Sequence, residues 1–450
     1  MSLFFRALTR IDSDLNPQAD LARSWQSLDS GRKWKFVIDP TARDHAGQPI
    51  TPQRVAACLE QYRAGTPPSL ARGGFPNWAR TSADASSVTL EFSSPNPYIA
   101  RDVTVLKFFQ IQGESSPCTE PQPSSVVIGS GLYFPKTWAL NPQNDMLALP
   151  TDKAKLPINF IFTMDENAKA IKLLRGEVDV AQNALSLTKT DWVAGTRSDQ
   201  FRIIDRPGVP VSYLAFNFRD SILAQKEVRL AIAHAINRDE YIKTKLLGHG
   251  SKAGSFLSPF LEESAPSDFS YDPKLSERLL DAAGFPRKED GIRLRFRYKA
   301  TPSREGIDMA LVFRSMLSKV GIELTVEIVE PAVFFSQIRK GNFQLFSGRW
   351  IGISDSSILY RTLHSKSPNN RVKYSNPEVD KLLDQSLSLV ELRARRPVIA
   401  KVQQIMAGEL PYFPLWFWTN TAIVRRDLKG LEDGKISLSG SLLPLTDLHW

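Results

Sequence analysis

Along the first part of the chain, apolar positions recur every second residue. "KWKFVI" (Lys33 to Ile38) alternates and predicts a strand, and "SVTLEF" (Ser87 to Phe92) predicts another. Between them "AGQPITPQRVAACLEQYR" predicts a turn and then a helix. Thr51 suits the N-cap there, and Pro52 suits the first helical position, where its missing N–H costs nothing. "PPSLARGGFPNW" reads as loop, and Gly113 to Ser125, with Pro117, Pro121 and Pro123, reads as a linker or long surface loop.

Past that segment the pattern changes. "LPINFIF" (strand), "DENAKAIKLLRGE" (helix) and "VDVA" (short strand) predict a βαβ-like unit. "SYLAFNF" predicts a strand. "KEVRLAIAHAINRDEYIKTKLLG" predicts one long helix, with Val228, Ile232, Ala235 and Ile236 on one side and Gly248 as its stop. From Ile292 the order is strand (292–299), helix (304–319), strand (322–329), helix (331–340), strand (343–350), with Ala310, Phe313, Leu317 and Val320 as the core face of the first helix. Such alternation implies a mostly parallel sheet with helices on both faces, in which ligands gather outside the carboxyl ends of the strands. "GRWIGISDSSILY" (Gly348 to Tyr360) lies at that end of strand 343–350 and is a candidate site for that reason. The tail "PYFPLWFWTNTAIVRR" predicts a proline-bracketed aromatic strand, with Trp416 and Trp418 on one face and Phe417 on the other.

A chain of 450 residues is too long for one ordinary core, so two or three domains are expected. No apolar run approaches the roughly 18 residues that cross a bilayer. The start "MSLFFRALTR" lacks the signal-peptide pattern, which leaves a trimmed exported chain and a cytoplasmic protein both open. The net charge of +9 raises acidic ligands, anionic surfaces and nucleic acid as partners. Yet the basic residues are scattered. Their densest run, "RLRFRYK", sets Arg293, Arg295, Arg297 and Lys299 on one strand face and reads as a solvated surface. Cys58 and Cys118 are the only cysteines, which excludes a disulfide framework and a four-cysteine zinc site. One bridge between them and two buried thiols both remain open.

The motifs of common catalytic sites are absent: no G-x-S-x-G, no H-E-x-x-H, no G-x-G-x-x-G and no Walker A loop. "GLEDGK" (Gly430 to Lys435) has the wrong spacing. The five histidines never pair at ligand spacing, and His234 reads as a packed histidine on the long helix. Neither metal nor cofactor is implied. In "SDS" (Ser354 to Ser356) the side chains suit a turn or helix cap, with "SILYRTL" as the helix.

Several segments together resemble the family 5 extracytoplasmic solute-binding proteins of ABC importers, the oligopeptide, dipeptide and nickel-binding type. "LTRIDSDLNPQADLARSW" resembles the family's opening strand with its L-A-x-S-W signature, and "KWKFVIDPTARDHAGQPITPQRV" its strand, turn and helix. "VIGSGLYFPKTW" is similar to the Gly-x-Gly-x-Tyr strand, and "DENAKAIKLLRGEVDVA" to the helix before "GEVD". "YLAFNFRD…VRLAIAHAINRDEYI", "YDPKLSERLLDAAGFP" and "LSKVGIELTVEIVE" match further motifs in order across nearly the whole chain.

The resemblance implies an α/β protein of the two-lobed periplasmic-binding-protein fold, type II with an extra domain, with mixed sheets and flanking helices. Domain I would take 1–33, 126–210 and 425–450, a domain II insertion 34–125, and domain III, the ligand-binding lobe, 211–424. It implies an exported monomer, periplasmic or at the cell surface. Such a protein captures a short peptide or small polar solute between closing lobes, passes it to a membrane permease, catalyses nothing and binds no nucleic acid. A first strand and a signal peptide usually precede the point where this chain starts, so the start reads as shortened.

The ligand-binding residues implied are Arg349, Trp350, Ser354, Asp355, Tyr360, Asn217 and Trp416. Trp416 reads as core or pocket, the core being favoured because its strand is apolar on both faces. Peptide-binding members carry an aspartate three residues after the tryptophan, which pairs with the peptide's α-amine. Ile353 stands there instead, with Asp355 two residues on. Arg349 would favour a carboxylate or phosphate through a bidentate bond, or else pair with a neighbouring carboxylate. Two other readings stand behind this one. An intracellular sensor domain of the same fold is the first, and an enzyme using Asp355 and a distant histidine ranks last.

Overall fold

The computed structural model describes residues 3–65, 75, 77–121, 125–136, 145–431, 436–440 and 445–450. The expected loop from Pro67 to Gly74, Pro123, Thr137 and Trp138 of the glycine-containing strand, and residues 432–435 of "GLEDGK" lie outside the described residues. The chain forms two compact units. One comprises Met1–Arg206, Leu387–Glu391 and Asn420–Trp450, and the other Pro207–Ser386 and Leu392–Thr419.

In the first unit the alternating strands form a four-stranded antiparallel sheet. Strands β1 (Ala22–Leu28), β2 (Lys33–Ile38), β3 (Trp78–Ala83) and β4 (Ser87–Phe92) lie in the order β1-β2-β4-β3. Trp34, Phe36 and Ile38 of β2 are buried with Val88, Leu90 and Phe92 of β4. Helix α1 (Pro52–Ala64) adds Val55, Cys58, Leu59 and Tyr62 to the same core. Thr51 accepts from the Arg54 N–H at its start, and Gly65 ends it at φ 91°, a left-handed conformation that a side chain would strain. Cys58 on this helix is joined to Cys118 by a disulfide, their Cα atoms 5.0 Å apart. The alternative of two free thiols is thereby closed.

A second sheet of this unit holds β5 (Tyr133–Pro135), β6 (Met146–Pro150) and β7 (Ile158–Phe160), antiparallel in the order β7-β6-β5. Helix α2 (Glu166–Leu174) and β8 (Val180–Gln182) follow. The expected βαβ unit does not close, because β8 pairs antiparallel with Ala422–Val424 of the tail rather than with β7. Val178, Ala181 and Leu185 pack there with Ala170, Leu173 and Ile423. Local periodicity finds a strand but not its partner.

Strand β9 (Phe201–Phe216) carries the chain into the second unit. The single long helix expected next is two helices, α3 (Lys226–Ala235) and α4 (Arg238–Lys245). Ile236 is extended (φ −94°, ψ 111°), and the Asn237 side chain accepts from the Glu240 N–H to start the second helix afresh. Strand β10 (Gly250–Lys252) precedes the alternating region: β11 (Leu294–Ala300), α5 (Arg304–Ser318), β12 (Ile322–Ile328), α6 (Pro331–Lys340) and β13 (Leu345–Trp350). Helices α7 (Ser357–Leu363), α8 (Pro377–Ser388) and α9 (Leu392–Glu409) lead to β14 (Tyr412–Arg425).

In this unit the strand order is β14-β9-β13-β11-β12, with β10 on β14. Strand β11 is parallel to β12 and β13, whereas β9 and β13 are antiparallel. The sheet is therefore mixed rather than mostly parallel, since β9 and β14 reach it from outside the alternating region. Ala310, Phe313, Leu317 and Val320 are buried as expected. The basic run on β11 is offset by its neighbour. Arg295 pairs with Glu323 at 2.8 Å and Asp290 at 3.2 Å, and Lys299 and Arg297 both meet Glu327. Arg293 and Lys299 are themselves buried, so the face is a cross-strand charge ladder and only partly a solvated one. Among the described residues no helix is long and apolar enough to cross a membrane.

Candidate ligand-binding site

The register of β9 against β13 sets Val211 opposite Trp350, Ser212 opposite Arg349 and Tyr213 opposite Gly348. A Cβ at Gly348 would stand 2.5 Å from the Tyr213 hydroxyl and 2.7 Å from its ring. Glycine there lets the tyrosine lie across the strand. The Tyr213 ring then stacks on Trp350, centroids 5.8 Å apart and planes 20° apart, and is backed by Phe256, Phe346 and Tyr412 at 5.3–6.1 Å. Complete burial pushes the Tyr213 hydroxyl up to about 12, against the pull of the nearby Arg371 guanidinium. That guanidinium also lies over the Trp350 ring, 5.1 Å from its centroid. Gly348→Ala is expected to cost about 1–3 kcal/mol by overpacking against Tyr213. Urea unfolding measures it, and a variant as stable as the parent would refute the role given to this glycine.

Arg349 on the neighbouring position is already engaged. Its Nη2 is 2.6 Å from a Glu305 carboxylate oxygen, and its guanidinium lies 3.6 Å from the centroid of Trp418. Trp418 in turn donates to Ser212 Oγ at 2.9 Å. Of the two alternatives for Arg349, the structure shows pairing with a neighbouring carboxylate. In the loop, Asp355 is buried. Its Oδ1 accepts from the Ser357 N–H at 2.9 Å and its Oδ2 from Ser354 Oγ at 3.0 Å. Both residues thus close the turn that leads into α7, as a local Asx bond does. Ile353 is buried as a packing residue. Tyr360 lies within α7, stacked on His364 (4.4 Å, 22°), and its hydroxyl donates to Asp384 at 3.4 Å. Partial burial and the two nearby carboxylates, Asp384 and Asp380, raise its pKa.

Two predicted site residues lie elsewhere. Asn217 sits one residue beyond the far end of the β9–β13 ladder, six residues from Val211 opposite Trp350, or roughly 20 Å. Its amide donates to the carbonyls of Gly341 (3.1 Å) and Phe343 (2.6 Å), and its Oδ1 accepts from the Arg219 N–H. It borders a separate polar cavity of about 530 Å³ with Arg219, Lys299 and Gln344. Trp416 is fully buried and stacks on Tyr241 at 4.3 Å, which is the core alternative.

The structure thus brings Arg349 and Trp350 together with Trp418, Tyr213, Glu305 and Arg371, four residues that the sequence reading passed over. Trp418 had a signal, its place on the aromatic tail strand. Arg371, in the turn-rich "PNNRVKYSNP", had none. Among the described residues no group of three or more His, Cys, Asp or Glu side chains could hold a metal ion. The arrangement offers stacking area and cationic donors, which suits holding a solute.

Comparison with known proteins agrees. Residues 16–370 match the bacterial extracellular solute-binding proteins, family 5 (middle region). The periplasmic murein peptide-binding protein MppA of Escherichia coli (strain K12) is 24% identical over 91% of this chain and 81% of its own length. The oligopeptide-binding protein OppA of Bacillus subtilis (strain 168) is 20% identical over 95% of this chain and 84% of its own. Among solved structures, NikA from Brucella suis in complex with Fe(III)-EDTA superposes with a TM-score of 0.85 at 19% identity, covering 99% of this chain and 94% of that one. The unliganded open form of MppA gives 0.80 at 19% identity, covering 100% and 92%. These are two-lobed periplasmic binding proteins, and the chain belongs to family 5 of the bacterial extracellular solute-binding proteins.

Proposed function

We propose that this protein is the extracytoplasmic solute-binding component of an ABC importer, capturing a peptide or similar small polar solute and delivering it to a membrane permease. The observation that carries this reading is the Trp350–Tyr213 stack at the carboxyl end of β13, with Arg371 over the half-buried Trp350 ring. It supplies apolar area and a polar anchor, as solute pockets do. The relatives MppA and OppA, both peptide-binding proteins, support the solute class. An enzymatic role for Asp355 finds no support, because its oxygens accept from Ser354 Oγ and the Ser357 N–H in the turn before α7. The relatives lend none to an intracellular sensor either.

The same reading keeps domain I at 1–33, 126–210 and 425–450, an inserted domain II at 34–125 and domain III at 211–424, acting as a monomer without nucleic acid. Within it Arg349, Trp350 and the loop carrying Ser354 and Asp355 border the ligand, with Tyr360 flanking them. Asn217 and Trp416 hold the surrounding fold.

Thermal-shift screening of peptides, sugars, opines and metal chelates tests it. A solute at 100 times its dissociation constant adds about 2.7 kcal/mol to stability, a readily measured rise in melting temperature. No stabilised sample, together with no retained solute by native mass spectrometry, would sink the proposal.

A further inference from the structure

The charge of Arg371 meets no carboxylate among the described residues of this site. Its backbone is held on both sides. Asn370, buried, donates from its amide to the Tyr374 carbonyl (2.7 Å) and accepts from the Tyr374 N–H (3.2 Å). Val372, also buried, accepts from the Phe218 N–H at 3.0 Å through its carbonyl, and the Arg371 N–H donates to the Asn369 carbonyl at 2.9 Å. The loop between α7 and α8 therefore delivers this side chain to one place, half-buried over the Trp350 face.

Other arginines of the unit show what an answered charge looks like here. Arg349 meets Glu305, Arg293 meets Asp281, and Arg395 meets Glu263. Arg238, deeply buried, spends its donors on the carbonyls of Ala253, Pro414 and Phe269. Around Arg371, by contrast, no carboxylate lies within 4.0 Å of the guanidinium among the described residues. The polar side-chain groups beside it are the buried hydroxyls of Tyr213 and Tyr412. A guanidinium carries five N–H donors in a planar fork matched to a carboxylate, and stacking on an indole leaves its edge available for that bond. Nor is an anionic side chain of the site free to reverse the preference. Glu305 is taken by Arg349, and Asp355 by Ser354 Oγ and the Ser357 N–H.

We propose that Arg371 anchors a carboxylate of the captured solute, so that the site selects ligands by an acidic group laid beside Trp350. This rests on the solute-binding reading above. It assigns the selectivity to Arg371 rather than to Arg349, whose charge is already matched.

The test titrates the full chain, followed by tryptophan fluorescence, with dialanine, trialanine and pentaalanine as free acids and as C-terminal amides. The parent protein is expected to bind the acids about 10- to 100-fold more tightly than the amides, the range of a charge-assisted bidentate bond. Arg371→Gln should abolish that ratio by weakening the acids most, and Arg371→Lys should restore part of it. Should the parent bind acids and amides within twofold of each other, or Arg371→Gln preserve the ratio, the inference is overturned while the solute-binding function stands. The parent titrations test the acid preference itself, and the conservative Arg371→Lys variant tests its assignment to Arg371 where Arg371→Gln folds poorly. Should no probe bind and the purified protein retain no solute, the function itself fails and takes the inference with it.

Discussion

Replacing both cysteines, Cys58→Ser with Cys118→Ser, is expected to lower the free energy of unfolding of the first unit by about 4 kcal/mol. The two residues are 60 apart in sequence, and closing a loop of that length removes chain entropy from the unfolded state in roughly that amount. Both side chains are buried in the core that α1 shares with the four-stranded sheet. The serines would add two hydroxyls to an apolar setting, so the effect should not fall below the entropic figure. Guanidinium unfolding, fitted with separate transitions for the two units, measures it. Reductant should shift the parent toward the variant and leave the variant where it is. A loss under 1 kcal/mol would show that the crosslink contributes little. Bridges of this kind persist in oxidising compartments, which agrees with an extracytoplasmic protein.

The elements were readable where one face of a local repeat is buried. Strands β2, β4, β11, β12 and β13, and helices α1, α5 and α6, stand within a few residues of where periodicity and caps place them. Three features escaped for a common reason, that they depend on distant partners. The pairing of β8 with the tail replaced a local βαβ unit, and the antiparallel β9 and β14 turned a parallel sheet into a mixed one. Asn217 became a clamp on the turn before β13. The break between α3 and α4 was different, because its signal was present. Asn237 followed three residues later by Glu240 is a capping pattern inside an apolar periodicity that masks it. At the site, Trp350 could be placed from its strand end. Arg371 could not, since a thirteen-residue connection (364–376) with no repeat gives no hint of which side chain crosses back over the sheet. The two cysteines showed the limit of counting. Their number permitted a bridge, and only the approach of α1 to residue 118 made it.

The second large effect is expected from Arg395→Met, which should cost about 3–5 kcal/mol by leaving the Glu263 carboxylate buried without its cation. The pair is well sheltered, with side-chain exposures of 7% and 4%, and Arg395 Nε lies 2.7 Å from Glu263 Oε1. Gln403, one helical stretch along α9, binds the same segment. Its Oε1 accepts from Ser255 Oγ (2.6 Å) and the Ala265 N–H (3.0 Å), and its Nε2 donates to the Glu263 carbonyl (2.8 Å). Together they fix residues 255–265 on α9. Phe256 of that segment, fully buried, packs against Tyr213 and Tyr412 behind the Trp350 stack. Stability should therefore fall first, and solute affinity with it through the loosened wall, although neither Arg395 nor Glu263 borders the stack. The double variant Arg395→Met with Glu263→Met should recover most of the loss, because the expense lies in the orphaned charge and not in the missing attraction. Urea unfolding of the two variants separates the cases. A single variant costing under 1 kcal/mol, or a double variant no more stable than the single, would mean that the segment behind Trp350 is held by packing and the Gln403 hydrogen bonds without the ion pair.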